Sequence, residues 1–269
     1  MITGFLHPGA RGATIAAACH GRRVWASEGR SAATANRAAA AAIDDVGTVA
    51  ALVAEADTIV SVCPPGAALD VAHQVADLGF DGLYVDANAV SPTTTREIGR
   101  RFAHYVDGGI VGPPVTQAGT TRLYLAGAEA CEVAERWAGS ALEVRIIDAE
   151  PGAASAVKMG FAAWTKGTSA LLLAVRAYAE AEGVGADLIG EWQTSMPDLV
   201  ARSDQTAAGV GPKAWRFAGE MEEIADSFAA VALPAGFHQA AAHVYESLHT
   251  FKDATPAPSL DDVIDKLLS

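Results

Sequence analysis

The sequence predicts two halves of different class: an α/β domain over residues 1–150 and an all-α domain over residues 151–269, joined by a long helix. Three observations predict this. Through residue 150, short β-rich runs alternate with alanine-rich helical runs. After Pro151 the β-rich runs stop and only helical patterning remains. A glycine-containing turn, His7-Pro8-Gly9-Ala10-Arg11-Gly12, follows the first β-rich run directly and opens a helix. Strands alternating with helices at this spacing imply βαβ units and a doubly wound parallel sheet.

Taken in order, Ile2–Leu6 reads as a strand, Ala13–His20 as a helix and Arg23–Ala26 as a second strand. Helices over Ser31–Ala42 and Ala50–Ala56 follow, then a buried strand, Thr58–Cys63, halted by Pro64-Pro65. Ala67–Leu78 is helical and Leu83–Asp86 is a strand. Pro92–Phe102 is a helix with Ser91 as N-cap and proline at its first position. Tyr105–Asp107, Arg122–Ala126 and Glu143–Ile147 complete the strands. Pro151–Glu182 contains no breaker except glycine and predicts one helix of roughly 50 Å at ~1.5 Å per residue. Helical runs continue at Ala186–Ser195, Pro197–Arg202, Lys213–Val231, Gly236–Phe251 and Leu260–Leu268. Ser203–Pro212 reads as a loop, and Asp253–Pro258 as a linker before a final helix with Ser259 as N-cap and Asp262 at its third position.

Composition bounds the function. Hydrophobic residues make up 51% and charged residues 19% of 269, which excludes a disordered chain. The net charge of −13 argues against a nucleic-acid partner, which needs a basic face. Cys19, Cys63 and Cys131 form no CxxC pair and lie near no His cluster, so they read as buried thiols in a reducing compartment. The start of the chain lacks the signature of a signal peptide, and no apolar run is long enough to span a membrane. The expectation is a soluble, cytoplasmic protein without a metal.

The turn after the first strand matches two of the three glycines of G-x-G-x-x-G: Gly9 and Gly12, with His7 in place of the first. In that motif one glycine lets backbone approach a pyrophosphate, another permits close helix–strand packing, and the helix N-terminus offers N–H groups to phosphate. His7, Pro8, Gly9, Ala10, Arg11 and Gly12 are therefore candidate cofactor contacts. Arg11, Arg22, Arg23, Arg30 and Arg37 face a single acid, Glu28, in this stretch of an acidic chain, which suits a polyanionic ligand. At the end of the second strand an acid would hold the ribose of NAD. Ser27 stands there, with Arg30 nearby, which favours the 2′-phosphate of NADP(H) over NAD(H). A one-residue shift in register would put Glu28 there and reverse that preference.

The order of motifs resembles the β-hydroxyacid dehydrogenase superfamily, which includes 6-phosphogluconate and 3-hydroxyisobutyrate dehydrogenases. The resemblance covers nearly the whole chain. Residues 4–12 resemble the opening GFIGLGxMG, and Asp86-Ala87-Asn88-Ala89-Val90-Ser91-Pro92 is similar to the substrate segment D-x-S-T-x-x-P. Asp107–Pro114 with Ala118-Gly119-Thr120 resembles DAPVSGG…AGT, and Gly152–Lys158 resembles G-x-G-x-x-x-K. The match looks closest to a branch whose C-terminal helical region is a domain of unknown function. The resemblance implies a Rossmann-like domain, a long helix and a helical domain through which homodimers form. It implies an NAD(P)-dependent oxidoreductase in which Lys158 exchanges a proton with a hydroxy or oxo group of a small molecule. It adds Cys63, Pro64 and Asn88 to the cofactor site. Asn88, Val111, Gly112, Pro113, Ala162 and Thr165 are assigned to the substrate.

The departures are specific. The asparagine of the family's K-x-x-N becomes Phe161, the serine of D-x-S-T becomes Asn88, and SGG becomes Val111-Gly112-Pro113. An acidic run, Glu220-Met221-Glu222-Glu223, stands where the family has a Lys-Asp pair; it could hold an amine or polyol, or be a solvated helix face. Helical spacing puts Ser155, Lys158, Ala162, Thr165, Ser169 and Arg176 on one stripe, which either lines a site or faces solvent. Lys166 is the next candidate acid/base. Two alternatives stay open: an imine reductase, against which Lys158 counts, and a cofactor-binding dimer without chemistry.

Overall fold

The computed structural model describes residues 1–269. The elements in order are β1 (Ile2–Leu6), α1 (Ala10–Ala18), β2 (Arg22–Trp25), α2 (Ala32–Ala40), β3 (Asp44–Asp45), α3 (Val49–Glu55) and β4 (Thr58–Ser61). Next come α4 (Ala68–Asp77), β5 (Leu83–Asp86), α5 (Pro92–Gly99), β6 (His104–Val111), β7 (Arg122–Ala126), α6 (Ala130–Ala134) and β8 (Glu143–Ile147). The helices α7 (Ala153–Ala181), α8 (Gly185–Ser195), α9 (Asp198–Val210), α10 (Ala214–Ala229), α11 (Gly236–Ser247) and α12 (Leu260–Leu268) complete the chain. The fold is an α/β Rossmann-like N-terminal domain and an all-α C-terminal domain joined by the long helix α7. Contacts divide it into two compact units, Met1–Met159 and Gly160–Ser269, and α7 runs through the boundary.

In the first unit one sheet has the order β3-β2-β1-β4-β5-β6-β7-β8. All neighbours are parallel except β6 and β7, which pair antiparallel. The sheet is thus mixed where a purely parallel one is expected. The reason is local: β7 follows β6 with no intervening helix to carry a right-handed crossover. Successive residues of the buried strands face opposite layers, so Phe5 packs in one hydrophobic core with Ile15, Val60 and Val85, and Leu6 in another with Leu52, Ile59 and Tyr84. Arg136, buried, ties the start of the sheet together through the hydroxyls of Thr3 and Thr58.

Several boundaries differ from expectation. β6 continues through Gly108-Gly109-Ile110-Val111, because pairing with β7 supplies what the glycines lack in strand propensity. β3 is a two-residue strand of exposed acids, too short and polar to carry an alternation signal. Residues 203–210, expected as a loop, are the second half of α9. Ser203, Ala207 and Val210 are its buried positions, at helical spacing, and Ser203 Oγ accepts from Arg176 at 2.8 Å. Packing there outweighs the weak helical propensity of the Ser-Asp and Gly residues.

In the second unit, α10 and α11 pack closely on one another. Tyr245 OH donates to the Lys166 carbonyl at 2.7 Å, and the Tyr245 ring meets Phe217 edge-on. Within this unit α7 also carries a stripe with alternating three- and four-residue spacing, in which Phe161, Trp164, Leu171 and Tyr178 are exposed and Thr168 and Val175 half-buried. Trp164 is 71% and Tyr178 65% exposed. The stripe borders an apolar groove of ≈ 680 Å³, walled by Trp164, Leu171, Phe228, Leu233, Phe237 and His238. No helix is long and apolar enough to cross a membrane.

Candidate active site

Register alone brings most of the candidate residues together. Leu6 pairs with Ser61, Ser61 with Asp86, and Asp86 with Asp107, so β1, β4 and β5 end on one row, level with Asp107 in the middle of β6. The segments that follow or extend these strands carry His7–Gly12, Cys63-Pro64, Asn88 and Gly108–Pro113. Strands leave β1 in opposite directions on its two sides, and the carboxyl ends at such a switch point are where ligands bind in open α/β sheets.

The turn after β1 fits a dinucleotide. His7 takes φ 61°, the left-handed conformation that the motif's first glycine normally supplies. That conformation lets Gly9 N donate to the His7 carbonyl at 2.6 Å. A Cβ on Gly12 would lie 3.2 Å from the same carbonyl and 3.5 Å from Val62 Cβ, so Gly12 lets α1 pack closely. A Cβ on Gly9 would meet nothing nearer than 3.9 Å, so the backbone there faces open space. The N-terminus of α1 has no side-chain cap, and a helix N-terminus of this kind favours an anion. Burial, then the charge of Arg30, lowers the His7 imidazole to about 4, so it is neutral at physiological pH. Its Nδ1 is buried without a partner.

Around the turn, Arg30 is exposed, with its Nε on the Glu28 carbonyl at 3.2 Å. Arg37, which belongs to the basic segment but not to the expected contacts, reaches the Pro8 carbonyl with Nε at 3.4 Å. β2 ends at Trp25, two residues before Ser27. Ser27 N donates to Asp45 Oδ1 at 3.2 Å, and Gly47 N donates to the same oxygen at 2.8 Å. Asp45 is a carboxylate beside Ser27 that sequence reading misses, because β3 carries no strand signal. Glu28 is exposed, and its N–H bonds the Gly47 carbonyl.

On the other side of the row, Asn88 is buried and braces the loop. Its Oδ1 accepts from Cys63 N at 2.6 Å, its Nδ2 donates to Ser61 Oγ at 3.0 Å, and its own N–H bonds Asp86 Oδ1. The amide expected to meet substrate is thus engaged within the protein. The Cys63 thiol is pushed up to about 12 by burial and then by the Asp86 carboxylate, which makes it inert as a nucleophile. Pro64 redirects the chain, and its carbonyl accepts from Ala67 N at 3.0 Å. Asp86 is driven to about 7 by burial, with Asp107 adding to the shift. Gly112, at φ 122°, is required: a Cβ there would overlap the Thr120 carbonyl oxygen. Val111 is buried, and the Pro113 carbonyl accepts from Thr121 Oγ1 at 2.7 Å.

Lys158 is 4% exposed, and its Cβ lies 3.2 Å from where a Cβ on Gly109 would be. It therefore stands over Gly109 of β6 in the first unit. The stripe it belongs to is not a solvated face: Ser155, Lys158, Ala162 and Arg176 are buried. Ala162 and Thr165 follow on the same face of α7 but lie in the second unit, where Thr165 Oγ1 bonds the Phe161 carbonyl. Lys166, the reserve candidate, is held at 2.6 Å by Glu220, whose side chain is buried with it. The acidic run is thus not wholly a solvated face; Glu222 is exposed. No group of three His, Cys, Asp or Glu side chains is arranged to hold a metal ion.

Residues 179–248 match a domain of unknown function, DUF1932. No curated protein matches the chain in sequence. Among solved structures, a conserved protein of unknown function, described as similar to 3-hydroxyacid dehydrogenases, superimposes with TM-score 0.67 at 26% identity, over 93% of this chain and 98% of that one. The 3-hydroxyisobutyrate dehydrogenase of Mycobacterium tuberculosis, solved with L-serine, gives TM-score 0.67 at 19% identity, over 100% and 99%. A protein called Psf3, solved with NADP+, gives 0.67 at 15%, over 99% and 100%. An imine reductase from Bacillus cereus shares the fold at TM-score 0.54 and 14% identity, over 100% and 99%. The chain carries a DUF1932 domain in its helical half and has the fold of the 3-hydroxyisobutyrate dehydrogenase-like members of the β-hydroxyacid dehydrogenase superfamily.

Proposed function

We propose that the protein is an NADP(H)-dependent oxidoreductase acting on a hydroxy or oxo small molecule, with Lys158 as general acid/base. The observation that carries this reading is the seat of Lys158: a buried lysine against Gly109 of β6, two residues past the row of strand ends that also carries the glycine turn. The nicotinamide, when bound, supplies or accepts the hydride. The chain's residues do the rest. Gly9, Ala10 and the uncapped start of α1 hold the pyrophosphate, and the neutral His7 offers its unpartnered Nδ1 to the same ligand. Ser27 and Arg30 hold the 2′-phosphate, with Arg37 behind them. Lys158 gives a proton to the carbonyl oxygen in reduction and takes it from the alcohol in oxidation. Asn88 braces the loop at the substrate side, next to Val111, Gly112 and Pro113.

The active species is a homodimer, because the apolar stripe and groove of the helical unit lack a partner within the chain. The three thiols are free, with Cys19 buried, Cys63 half-buried and Cys131 exposed where burial was expected, and they suit a reducing cytoplasm.

The test is turnover. NADP+ reduction is followed at 340 nm with a panel of small hydroxy acids that includes 3-hydroxyisobutyrate and L-serine. Lys158→Ala should lower kcat by roughly 10²–10⁴-fold, the usual contribution of a general acid–base group, and leave NADPH affinity nearly unchanged. Lys158→Arg should not rescue, because a guanidinium does not release a proton near neutral pH. Full activity in Lys158→Ala would end this reading.

A further inference from the structure

Asp107 is fully buried at the row of strand ends, and its carboxylate is surrounded by donors. Oδ2 accepts from Gly152 N at 2.8 Å, Ala154 N at 2.9 Å and Ser155 N at 3.1 Å. Oδ1 accepts from Ser155 Oγ at 2.6 Å and Thr95 Oγ1 at 3.3 Å. Ala154 and Ser155 open α7, so their N–H groups are among those that a helix leaves without internal partners. A carboxylate at this position also complements the helix dipole. Asp107 is therefore the cap of α7, supplied from a strand 45 residues earlier in sequence.

Gly109 stands two residues further along β6, on the same face as Asp107. A Cβ there would overlap the Ala154 carbonyl oxygen, and would lie 3.0 Å from Ala154 C and 3.2 Å from Lys158 Cβ. The helix rests directly on strand backbone. Gly152 turns the chain into that contact at φ 111°, and a Cβ on it would strike the Arg96 guanidinium. Ser155 and Lys158 are three residues apart on one helix face, so whatever fixes Ser155 also fixes the height and rotation of Lys158.

We infer that Asp107 is the positioning residue for Lys158, acting with Gly109 as a platform that seats the first turn of α7 on the middle of β6. The mechanistic weight of this inference rests on the acid/base role proposed for Lys158; the seating itself does not. The sequence pattern Asp107-Gly108-Gly109 then has a mechanical reason. The carboxylate takes the helix's free N–H groups, and the missing side chain at 109 lets the helix come close enough for them to reach.

Two measurements keep the platform and the acid/base role distinguishable. The first needs no substrate: acylation of Lys158 by acetic anhydride, read by mass spectrometry with Lys166 as internal standard. Asp107→Ala and Gly109→Ala should each raise Lys158 labelling several-fold relative to Lys166. Asp107→Asn should stay near wild type, because its amide oxygen can accept from the backbone N–H groups while its NH₂ donates to Ser155 Oγ. The second is kcat with the best substrate of the panel. Asp107→Ala and Gly109→Ala should lower it roughly 10–100-fold, the scale of an ångström-sized misplacement, with the KM for NADP+ within about twofold. Asp107→Asn should recover most of that loss. If Asp107→Ala does not fold, Gly109→Ala carries both measurements. Unchanged labelling in the folded variants overturns the platform, and so does a loss of NADPH binding as large as the loss in kcat. Full activity in Lys158→Ala overturns the acid/base role, and the labelling still decides whether Asp107 seats the lysine.

Discussion

At the scale of single residues, the row of strand ends combines two buried carboxyls with opposite surroundings. Asp107 is ringed by donors, whereas Asp86 has an N–H from Asn88 and a long contact of 3.5 Å from Tyr105 OH. Burial and the neighbouring Asp107 raise Asp86 to about 7. An unfolded aspartate ionises near 4, so between about pH 4 and 7 the native state keeps a proton that the unfolded state releases. Stability contributed by the neutral carboxyl is therefore lost as pH rises through that window. Asp86→Asn removes the titration, and its melting temperature should exceed that of wild type by a few degrees at pH 8 and converge with it at pH 5. A wild-type melting temperature that climbs relative to the variant from pH 5 to 8 would show that Asp86 is ionised in the fold. Arg30 makes a second residue-scale prediction. Its Nε bond to the Glu28 carbonyl leaves the rest of an exposed guanidinium for a 2′-phosphate. Arg30→Ala should weaken NADPH by roughly 1.5–3 kcal/mol, the range for a bond to a charged group, and leave NADH unchanged. Equal losses for both cofactors in a fluorescence titration would show that Arg30 does not read the phosphate.

At the scale of elements, legibility follows how local the determining forces are. The cap of α12 is wholly local: Ser259 Oγ accepts from Asp262 N at 3.1 Å, and Asp262 Oδ2 accepts from Ser259 N at 2.9 Å. Both residues are readable as a capping pair from sequence. Ser259→Ala should cost about 1 kcal/mol in a urea titration, and an unchanged midpoint would mean that α12 contributes little to the cooperative unit. α7 has no comparable local cap, and its distant partner, Asp107, could not be found by spacing. The second half of α9 escaped for the same reason, since Ser203 becomes helical through Arg176 and Ala207 through burial. β3 escaped because two exposed acids hold a strand only through pairing with Val24 and Trp25. The turn from His7 to Gly12 was legible as a motif, but the engaged amide of Asn88 and the pairing of Lys166 with Glu220 were not. Both depend on residues brought in by tertiary structure.

At the scale of the whole molecule, the surface of the helical unit argues for assembly. A monomer rarely leaves a contiguous apolar patch with a groove beside it, and here Trp164, Leu171 and Tyr178 stand on one side of α7 with Phe237 80% exposed nearby. The stripe from Phe161 to Tyr178 has the 3.5-residue spacing of a seam that packs against another helix. None of the six residues named for the groove wall is charged, so a chain of net charge −13 can bring two copies together there without concentrating like charge. An isologous pair would place the same stripe on both sides of a two-fold axis. Light scattering at micromolar concentration should therefore give about twice the chain mass of 27.6 kDa. Leu171→Glu should lower that mass toward the monomer, because two carboxylates would have to be buried across the axis, each without a partner. Glu222→Gln, at an exposed position on α10, is the control and should remain dimeric. A wild-type mass of 27.6 kDa would show that the stripe stays bare. A dimer unaffected by Leu171→Glu would move the interface to another face and leave the groove of the helical unit without an assigned occupant.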